Sequence, residues 1–238
     1  MSHSLNIVIP IYNEDESVLP WLQQVVSYLI TGDRLVVVDA SDAPLDVDFS
    51  KHEIFQHQQV FYIRSDKGRA KQMNAGAEFL LSQAENNTKT SMLWFLHCDS
   101  GLSAQHLEYI RSLMPSTLWG RFDVQLNPST FPFKIIASLM NLRSRLSQVM
   151  TGDQGIFICS DLFYKIGGYA QIPLMEDVEI SKRLRKIAKA DCAGPRLTTS
   201  ARRWQQQGIV KTVLLMWQLR LMYWLGVSPA RLVKKYYG

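Results

Sequence analysis

The chain has 238 residues, of which 47% are hydrophobic and 20% are charged, and its formal net charge is +5. This composition excludes a disordered or collagen-like chain, and the length suits one large α/β domain or two small ones. The mild positive charge is compatible with an anionic ligand or an anionic membrane surface, and we expect no nucleic acid partner.

Strand-like and helix-like segments alternate in the first half of the sequence. Two segments with apolar residues at helical spacing, residues 15–30 and 69–84, lie between short apolar runs that are typical of buried parallel strands. The strand-like runs are residues 5–10, 34–41, 59–64 and 91–96. This order predicts a parallel sheet with helices on both faces.

The pattern loosens after residue 102, where we predict helices and strands in a less regular order. The predicted helices are residues 104–114, 133–150 and 175–189, and the predicted strands are residues 119–126 and 155–160. The pattern over residues 206–238 predicts apolar helices that lack a continuous polar stripe. Such helices pack against the domain or a partner subunit, or they lie in a membrane interface. We therefore divide the chain into a domain over residues 1–205 and a helical tail over residues 206–238.

The three cysteines, Cys98, Cys159 and Cys192, are odd in number and form no CxxC pair. We expect reduced thiols in a cytoplasmic protein, without a disulfide framework or a zinc site. The N-terminal residues run directly into the first predicted strand, so we expect no signal peptide. Every stretch of 18 residues contains a charge, so we expect no membrane-spanning helix.

Polar residues follow three of the predicted strands. Residues 10–14 read PIYNE, residues 39–42 read DASD and residues 97–99 read HCD. Parallel strands place their carboxyl ends at one edge of the sheet, where open α/β sheets bind ligands. The cluster that ends on Asp99 could hold a metal ion or a phosphate-rich ligand, or it could be an ordinary turn.

Five segments together resemble a known family. They read IVIPIYNE, VVVDASD, GRAKQMNAGA, LHCDS and MEDVEISKRLRK. In this order and spacing, over about residues 5–205, the chain resembles family 2 glycosyltransferases of the GT-A fold. The motifs LHCDS, GRFDV (120–124) and RRW (202–204) are similar to those of a group of short bacterial members with a Leu-His-x-Asp metal motif.

The resemblance implies a fold and a reaction. The expected fold is an α/β, GT-A (Rossmann-like), mostly parallel sheet with helices on both faces, here followed by C-terminal apolar helices. The expected reaction is an inverting, metal-dependent transfer of a sugar from a nucleotide-diphosphate sugar, with a UDP-sugar favoured, to the hydroxyl group of a small molecule or a lipid. The expected cofactor is Mn²⁺ or Mg²⁺, because both ions prefer oxygen ligands.

The resemblance places the metal at LHCDS. Asp99 would hold the ion and contact the donor nucleotide. The usual family motif has two aspartates around one residue, and here His97 stands in place of the first. His97 is therefore a second candidate metal ligand, and it could instead donate a hydrogen bond to ribose or phosphate or pack at the strand end.

The resemblance also assigns residues to the donor nucleotide. Pro10, Tyr12 and Glu14 would line the nucleoside pocket, with the ring of Tyr12 against the base, or their loop could only cap the next helix. Asp39 would accept hydrogen bonds from uracil or ribose. The cations Lys67 and Arg69 at a helix start are expected to attract the phosphates, unless they form only a solvated basic loop. Together with Asp99, these residues are the candidates for binding the donor nucleotide sugar.

For catalysis, the resemblance places a general base at Asp177. An inverting transfer needs a carboxylate that takes the proton from the attacking hydroxyl. Glu176 stands beside Asp177, and paired acids raise one another's pKa, which suits a base that acts near neutral pH. The alternative is that both are first-turn acids that complement a helix dipole.

The acceptor and the pyrophosphate have further candidates. Asp153 and Gln154 in TGDQGIF are expected to touch the acceptor, unless they form only a turn before a strand. Arg203 would steady the pyrophosphate, and Trp204 would form an acceptor or sugar platform or be a core tryptophan. Ser200 replaces the glutamine of the Gln-x-x-Arg-Trp motif, so we expect no processive polymerase.

Two other functions fit parts of the pattern. A nucleotidyltransferase would show a Gly-rich loop with Arg and Lys after the first strand, and PIYNEDE is acidic instead. A noncatalytic nucleotide-binding or membrane-associated module fits the altered metal motif and the apolar tail. The tail also predicts a peripheral contact with the inner face of a membrane, or a homodimer.

Overall fold

The structure is a computed structural model that describes residues 4–42, 49–83, 91–113 and 116–237. Its main element is a mixed sheet built from a parallel block. The strands of the parallel block are β1 (Leu5–Ile11), β2 (Arg34–Asp39), β3 (Val60–Arg64) and β4 (Met92–Phe95). Two antiparallel strands, β5 (Trp119–Gly120) and β7 (Phe157–Cys159), extend the sheet beside β4. In the described residues the strand order is β3-β2-β1-β4-β7-β5, so the predicted mostly parallel α/β sheet is confirmed.

Helices cover both faces of the parallel block. The helix α2 (Arg69–Ser82) approaches one face so closely that a Cβ atom on Gly76 would lie 2.5 Å from Cγ1 of Val8. Because side chains alternate along a strand, Ile7 and Ile9 point to the opposite face, and both are fully buried. There α3 (Ala104–Ser112) packs against β1, and α1 (Leu19–Val26) contributes to the same core.

The prediction of one strand over residues 119–126 is wrong. The chain leaves the main sheet after β5 and forms β6 (Asp123–Asn127), which pairs in parallel with β8 (Arg196–Ser200) in a separate sheet. Arg121 lies between β5 and β6, is fully buried, and forms an ion pair with Asp123. A buried guanidinium needs such partners, so the ion pair fixes the break between the two sheets.

The second half of the chain is mainly helical. The helices are α4 (Phe131–Ser147), α5 (Ser160–Lys165), α6 (Glu176–Leu184), α7 (Arg202–Gln207), α8 (Ile209–Trp224) and α9 (Pro229–Tyr237). The last two helices pack on α6 through an apolar cluster of Met175, Val178, Leu219 and Leu232. Among the helices that the structure describes, none is both long and apolar enough to cross a bilayer.

Candidate active site

A cavity of about 580 Å³ opens at the carboxyl ends of β1 and β4. After β1 the chain adds β2 and β3 on one side, and it then returns to add β4 on the other side. The strand order therefore reverses direction between the neighbouring strands β1 and β4, and this switch point is where open α/β sheets bind their ligands. The volume is within the range of ligand pockets in proteins.

The walls of the cavity come from both sheets. One wall consists of Pro10 in β1, Tyr12 and Glu14 in the loop after β1, and the segment 97–101 after β4, as the sequence predicts. The opposite wall includes residues 198–200 of β8. These two walls meet where the N–H group of Gly101 donates to the carbonyl oxygen of Thr198 at 2.8 Å, a contact so close that a Cβ atom on Gly101 would lie 2.9 Å from Cβ of Thr198. Because Gly101 has no side chain, β8 of the second sheet can approach closely enough to form the opposite wall of the cavity.

Gln72 and Trp21 also line the cavity, and no motif in the sequence pointed to either residue. Gln72 of α2 is buried, and its amide nitrogen donates to the carbonyl oxygens of Ile11 at 2.7 Å and Val38 at 2.9 Å. It thereby satisfies carbonyl groups at the ends of two neighbouring strands. The indole N–H of Trp21 donates to the carbonyl oxygen of Ser100 at 2.6 Å, which fixes the turn after Asp99.

Tyr12 and Lys67 come together at one rim of the cavity. The hydroxyl group of Tyr12 donates to Oδ2 of Asp42 at 2.6 Å and accepts from the ammonium group of Lys67. The same ammonium group lies 4.0 Å from the centre of the Tyr12 ring. The predicted aromatic face and the predicted cation therefore belong to one cluster, and Tyr12 lines the cavity.

Asp39 lies behind the cavity wall, whereas the sequence predicted a contact with the nucleoside. It is fully buried, its Oδ1 accepts from the N–H group of Ser41 at 2.7 Å, and its Oδ2 accepts from the hydroxyl group of Tyr62 at 2.6 Å. The hydroxyl group of Ser41 in turn accepts from the N–H group of Asn13 at 2.6 Å. Asp39 therefore positions the loop that carries Tyr12 and does not itself line the cavity.

Asp99 lines the cavity, and the negatively charged Asp153 lies near it. Burial and the carboxylate of Asp153 raise the pKa of Asp99 above its usual value. Within the described part of the chain, no Lys, Arg or His forms a salt bridge with Asp99, and no three His, Cys, Asp or Glu residues form a ready metal site. A divalent cation fits this donor set, provided that phosphate and water supply its other ligands, as Mg²⁺ sites usually require.

His97 is neutral at physiological pH. Burial and the charge of Arg69 lower the pKa of His97 to about 3. Its Nδ1 atom lies 3.6 Å from Oδ1 of Asp153, and its ring packs against Gly152, where a Cβ atom would lie 2.8 Å from Nε2. A neutral imidazole is the form that binds metals, so the chemistry of His97 is compatible with the predicted ligand role.

Glu176 and Asp177 lie at the inner end of the site with Arg69 and His97. Glu176 is buried, and Nη1 of Arg69 lies 3.6 Å from its Oε1. Burial and the neighbouring Asp177 raise the pKa of Glu176 to about 7, although Arg69 opposes this shift. Asp177 joins α6 to the loop before β7, because its Oδ2 accepts from the N–H group of Gly152 at 3.0 Å.

Two of the predicted acceptor residues lie elsewhere. Gln154 is fully buried, its amide nitrogen donates to Oγ of Ser144 at 2.9 Å, and its amide oxygen accepts from the N–H group of Thr151 at 3.1 Å. Its side chain cannot reach an acceptor, so that prediction is wrong. Trp204 packs on the apolar cluster of α4 and β6, as a core tryptophan would. The side chain of Arg203 lies outside the described residues.

Arg202 is a cavity residue that the sequence interpretation missed. It lines the cavity, and its charge lowers the pKa of Asp99, against the larger effects of burial and Asp153. The motif RRW, which contains Arg202, was the available signal, but the position of a side chain around a helix cannot be read from the motif alone.

No protein-family model matches the sequence, and no curated protein matches it. In structure, the chain is similar to the mannosyltransferase PcManGT from Pyrobaculum calidifontis, solved with GDP-Man and Mn²⁺, at 12% identity and a TM-score of 0.58, over 83% of this chain and 57% of that one. It is also similar to GalNAc-T7, solved with UDP, GalNAc and Mn²⁺, at 14% identity and a TM-score of 0.51, over 83% of this chain and 42% of that one. The alignments thus span about half the length of these proteins. Identities this low show the fold alone, and that fold is the α/β fold of GT-A glycosyltransferases.

Proposed function

We propose that this protein is a metal-dependent, inverting glycosyltransferase of family 2 that moves a sugar from a nucleotide-diphosphate sugar to a hydroxyl acceptor. A UDP-sugar is the favoured donor, and the acceptor is a small molecule or a lipid. In this proposal residues 1–205 form the transferase domain, residues 206–238 form a helical tail, and the protein is cytoplasmic. The tail is its predicted surface for a membrane or a second copy.

One observation carries the proposal: the paired carboxylates of Glu176 and Asp177 line a small recess beside the cavity at the switch point of the sheet. Arg69 and His97 line both the large cavity and the small recess at the carboxylates, so the two spaces adjoin. A donor whose diphosphate lies near Arg69 would point its sugar towards the carboxylates. The solved structures that share this fold are complexes with nucleotide or nucleotide-sugar ligands and Mn²⁺, which supports the same use of this cavity.

The reaction then needs one proton transfer and one displacement. The acceptor oxygen attacks the anomeric carbon from the face opposite the diphosphate, and Asp177 takes its proton. The bond between the anomeric carbon and the phosphate oxygen breaks, and the nucleoside diphosphate leaves with the electron pair. Arg69 stabilises the charge that develops on the leaving group. Glu176 holds Arg69 in place from the side of α6.

Asp99 would hold the metal, with His97 as the second candidate ligand. A bound Mn²⁺ or Mg²⁺ supplies positive charge that offsets the negative charge of the diphosphate. Asp153, which lies beside His97, is close enough to Asp99 to take part in this site instead of the predicted acceptor contact. Asp153 therefore has a proposed role on the pyrophosphate side.

The nucleoside would occupy the outer part of the cavity. Pro10, Tyr12 and Glu14 would contact it, with the Tyr12 ring against the base. Lys67 supplies positive charge at the same rim, and Asp39 positions the loop from behind. On the acceptor side, Trp204 and Arg203 remain candidates that the described contacts do not bring to the cavity.

A panel of nucleotides tests the proposal. We would measure the melting temperature with UDP, GDP, CDP, ADP and dTDP, each with and without Mn²⁺ or Mg²⁺. A ligand that binds only the folded state raises its stability, so one nucleotide should raise the melting temperature in a metal-dependent way. The matching nucleotide sugars would then be tested for hydrolysis or transfer. If no nucleotide binds, the transferase proposal fails. Binding without any turnover would instead support a noncatalytic module.

A further inference from the structure

The helix α4 exposes an apolar stripe along its whole length. The stripe residues are spaced by three or four positions, so they lie on one face of the helix, and they are 45–77% exposed. They are Phe131, Ile135, Leu139, Leu142 and Leu146. The opposite face of α4 packs on the protein through Phe133, Ile136 and Ala137. The exposed stripe is thus additional to the apolar face that folding buries.

The helix α8 exposes a second stripe of the same kind. Its residues also follow helical spacing and are 56–73% exposed. They are Val210, Leu214, Trp217, Leu221 and Trp224. Thr212 and Leu219, on the opposite face, are buried. Single exposed apolar residues are ordinary, whereas contiguous apolar surfaces mark interaction sites.

The two stripes belong to neighbouring helices. Ile209, the first residue of α8, packs on the apolar cluster that buries α4. Further along, Arg143 of α4 and Arg220 of α8 are close enough that burial and the charge of Arg220 together lower the pKa of Arg143 to about 10. Each helix buries the face opposite its stripe, so both stripes face away from the core.

Positive charge is concentrated in the two segments of the chain that contain the stripes. Residues 124–152, which contain α4, and residues 192–238, which contain α7 to α9, together carry eleven Lys or Arg residues and no Asp or Glu, so the rest of the chain is net acidic. On α9, Arg231, Lys234 and Lys235 are exposed. Between α4 and α8, Nη2 of Arg143 is buried without a hydrogen-bond partner among the described residues. Two neighbouring arginines with an unused donor are suited to an anionic group.

We propose that the α4–α8 surface, defined by the two stripes and their basic border, docks on an anionic lipid bilayer. Apolar stripes flanked by Lys and Arg, with tryptophan among the apolar residues, are the pattern of helices that lie in a membrane interface. A symmetric pair of copies would place this acid-free, cationic surface against itself, so like charges would oppose such a dimer.

This docking deepens the proposed function, on which it rests for the existence of an acceptor, because it assigns a location to the acceptor side of the site. Burial lowers the pKa of Arg220 in α8, and the nearby carboxylates of Asp177 and Asp153 partly oppose this shift. The helices α8 and α9 also pack, through Leu219 and Leu232, on Val178 of the helix that carries Asp177. The inner end of the site therefore lies next to the docking helices, and a hydroxyl group at the lipid surface is the acceptor that this arrangement favours.

Vesicle flotation tests the inference without using transferase activity. The full chain would be mixed with vesicles of phosphatidylcholine alone or with about 30% phosphatidylglycerol. We expect flotation with the anionic vesicles and little with the neutral ones, and a loss of flotation at high salt. Quenching by lipids brominated on their acyl chains would then report whether Trp217 and Trp224 enter the bilayer.

Matched variants make the test specific. We expect L214Q/W217Q/L221Q and, separately, K234E/K235E to lower the floated fraction at least fivefold. The controls Y164Q/I187Q and K165E/K189E alter exposed residues of the same kinds outside the surface and should float as the wild type does. Far-ultraviolet circular dichroism would check that each variant is folded. The inference is overturned if the wild type stays with the unbound fraction, if the stripe variant floats normally, or if the wild type is a dimer that the stripe variant dissociates.

Discussion

Nη1 of Arg69 lies 3.6 Å from Oε1 of Glu176, and this contact joins the first residue of α2 to the first residue of α6. Asn74 strengthens the same junction, because its side chain exchanges two hydrogen bonds of 2.8 Å with the backbone of Tyr169. Arg69 also lines the large cavity. A diphosphate in that cavity would share the guanidinium with Glu176, so donor binding and the charge at α6 are linked.

Asp177→Asn should abolish transfer and leave donor binding intact. The amide oxygen of asparagine can still accept from the N–H group of Gly152, so the loop should keep its position, but asparagine cannot take a proton. Losing a general base lowers the turnover rate by a factor of about 10²–10⁴. The measurement is turnover together with the nucleotide-induced rise in melting temperature. Asp161→Asn, in the first turn of α5, is the control, and equal activity of D177N and the wild type would exclude Asp177 as the base.

Glu176→Gln should remove a pH dependence of stability. The pKa of Glu176 is about 7 in the folded protein, against 4.5 for an ordinary glutamate. Between these values the folded state holds a proton on Glu176 that the unfolded chain has released, so Glu176 lowers the free energy of unfolding as the pH rises through this window. His97, whose pKa is lowered on folding, contributes the opposite slope, so the prediction concerns the difference between the wild type and E176Q. Urea unfolding of the wild type and E176Q at several pH values would measure it. The surface change Glu78→Gln should leave the slope unchanged, and equal slopes for E176Q and the wild type would refute the assignment.

Asp99→Asn should have opposite effects on the free and the ligand-bound protein. Without ligand, the change removes the repulsion from Asp153, so the melting temperature should rise slightly. With nucleotide and Mn²⁺, the extra rise that metal gives to the wild type should disappear, because the carboxylate ligand is gone. Thermal melting with and without ligand measures both effects. Asp66→Asn, an exposed aspartate in the loop after β3, should behave as the wild type; a full metal-dependent shift in D99N would contradict the role of Asp99.

Gly76→Ala should destabilise the protein by about 1–3 kcal/mol through overpacking. The added methyl group would lie 2.5 Å from Cγ1 of Val8 and 2.8 Å from Cγ2 of Val38, so α2 would have to move off the sheet. Val8→Ala removes the nearest contact, so the double variant should lose less stability than the sum of the single changes. Urea unfolding of the three variants gives this coupling directly, and strictly additive losses would show that the contact with Val8 does not matter.

Local sequence patterns were sufficient to predict the parallel strands of the main sheet and several of the residues that line the cavity. The strands β1 to β4 are continuous apolar runs, and their polar ends at Tyr12, Glu14, His97 and Asp99 meet at one cavity because parallel strands share an edge. Each of these predictions depends on a few consecutive residues and one rule of topology.

The predictions that failed depend on contacts between distant segments. The break after Gly120 is set by Arg121, whose backbone N–H group donates to the carbonyl oxygen of Asp191 at 2.9 Å. Gln154 is typical of a polar loop in sequence, but it is buried because Ser144 of α4 takes its amide group. No spacing along the chain reveals such partners, since the residues meet only after the second sheet has formed.

The apolar cluster of Met175, Val178, Leu219 and Leu232 has a practical consequence for any shortened version of the protein. It attaches the last two helices to the helix that carries Asp177. A chain that stops at residue 205 would expose one side of α6 to water and would loosen the support of the proposed base. Loss of activity after such a truncation would therefore not prove that the reaction needs a membrane, and point changes on the outer face of α8 are the way to separate attachment to lipid from support of the catalytic helix.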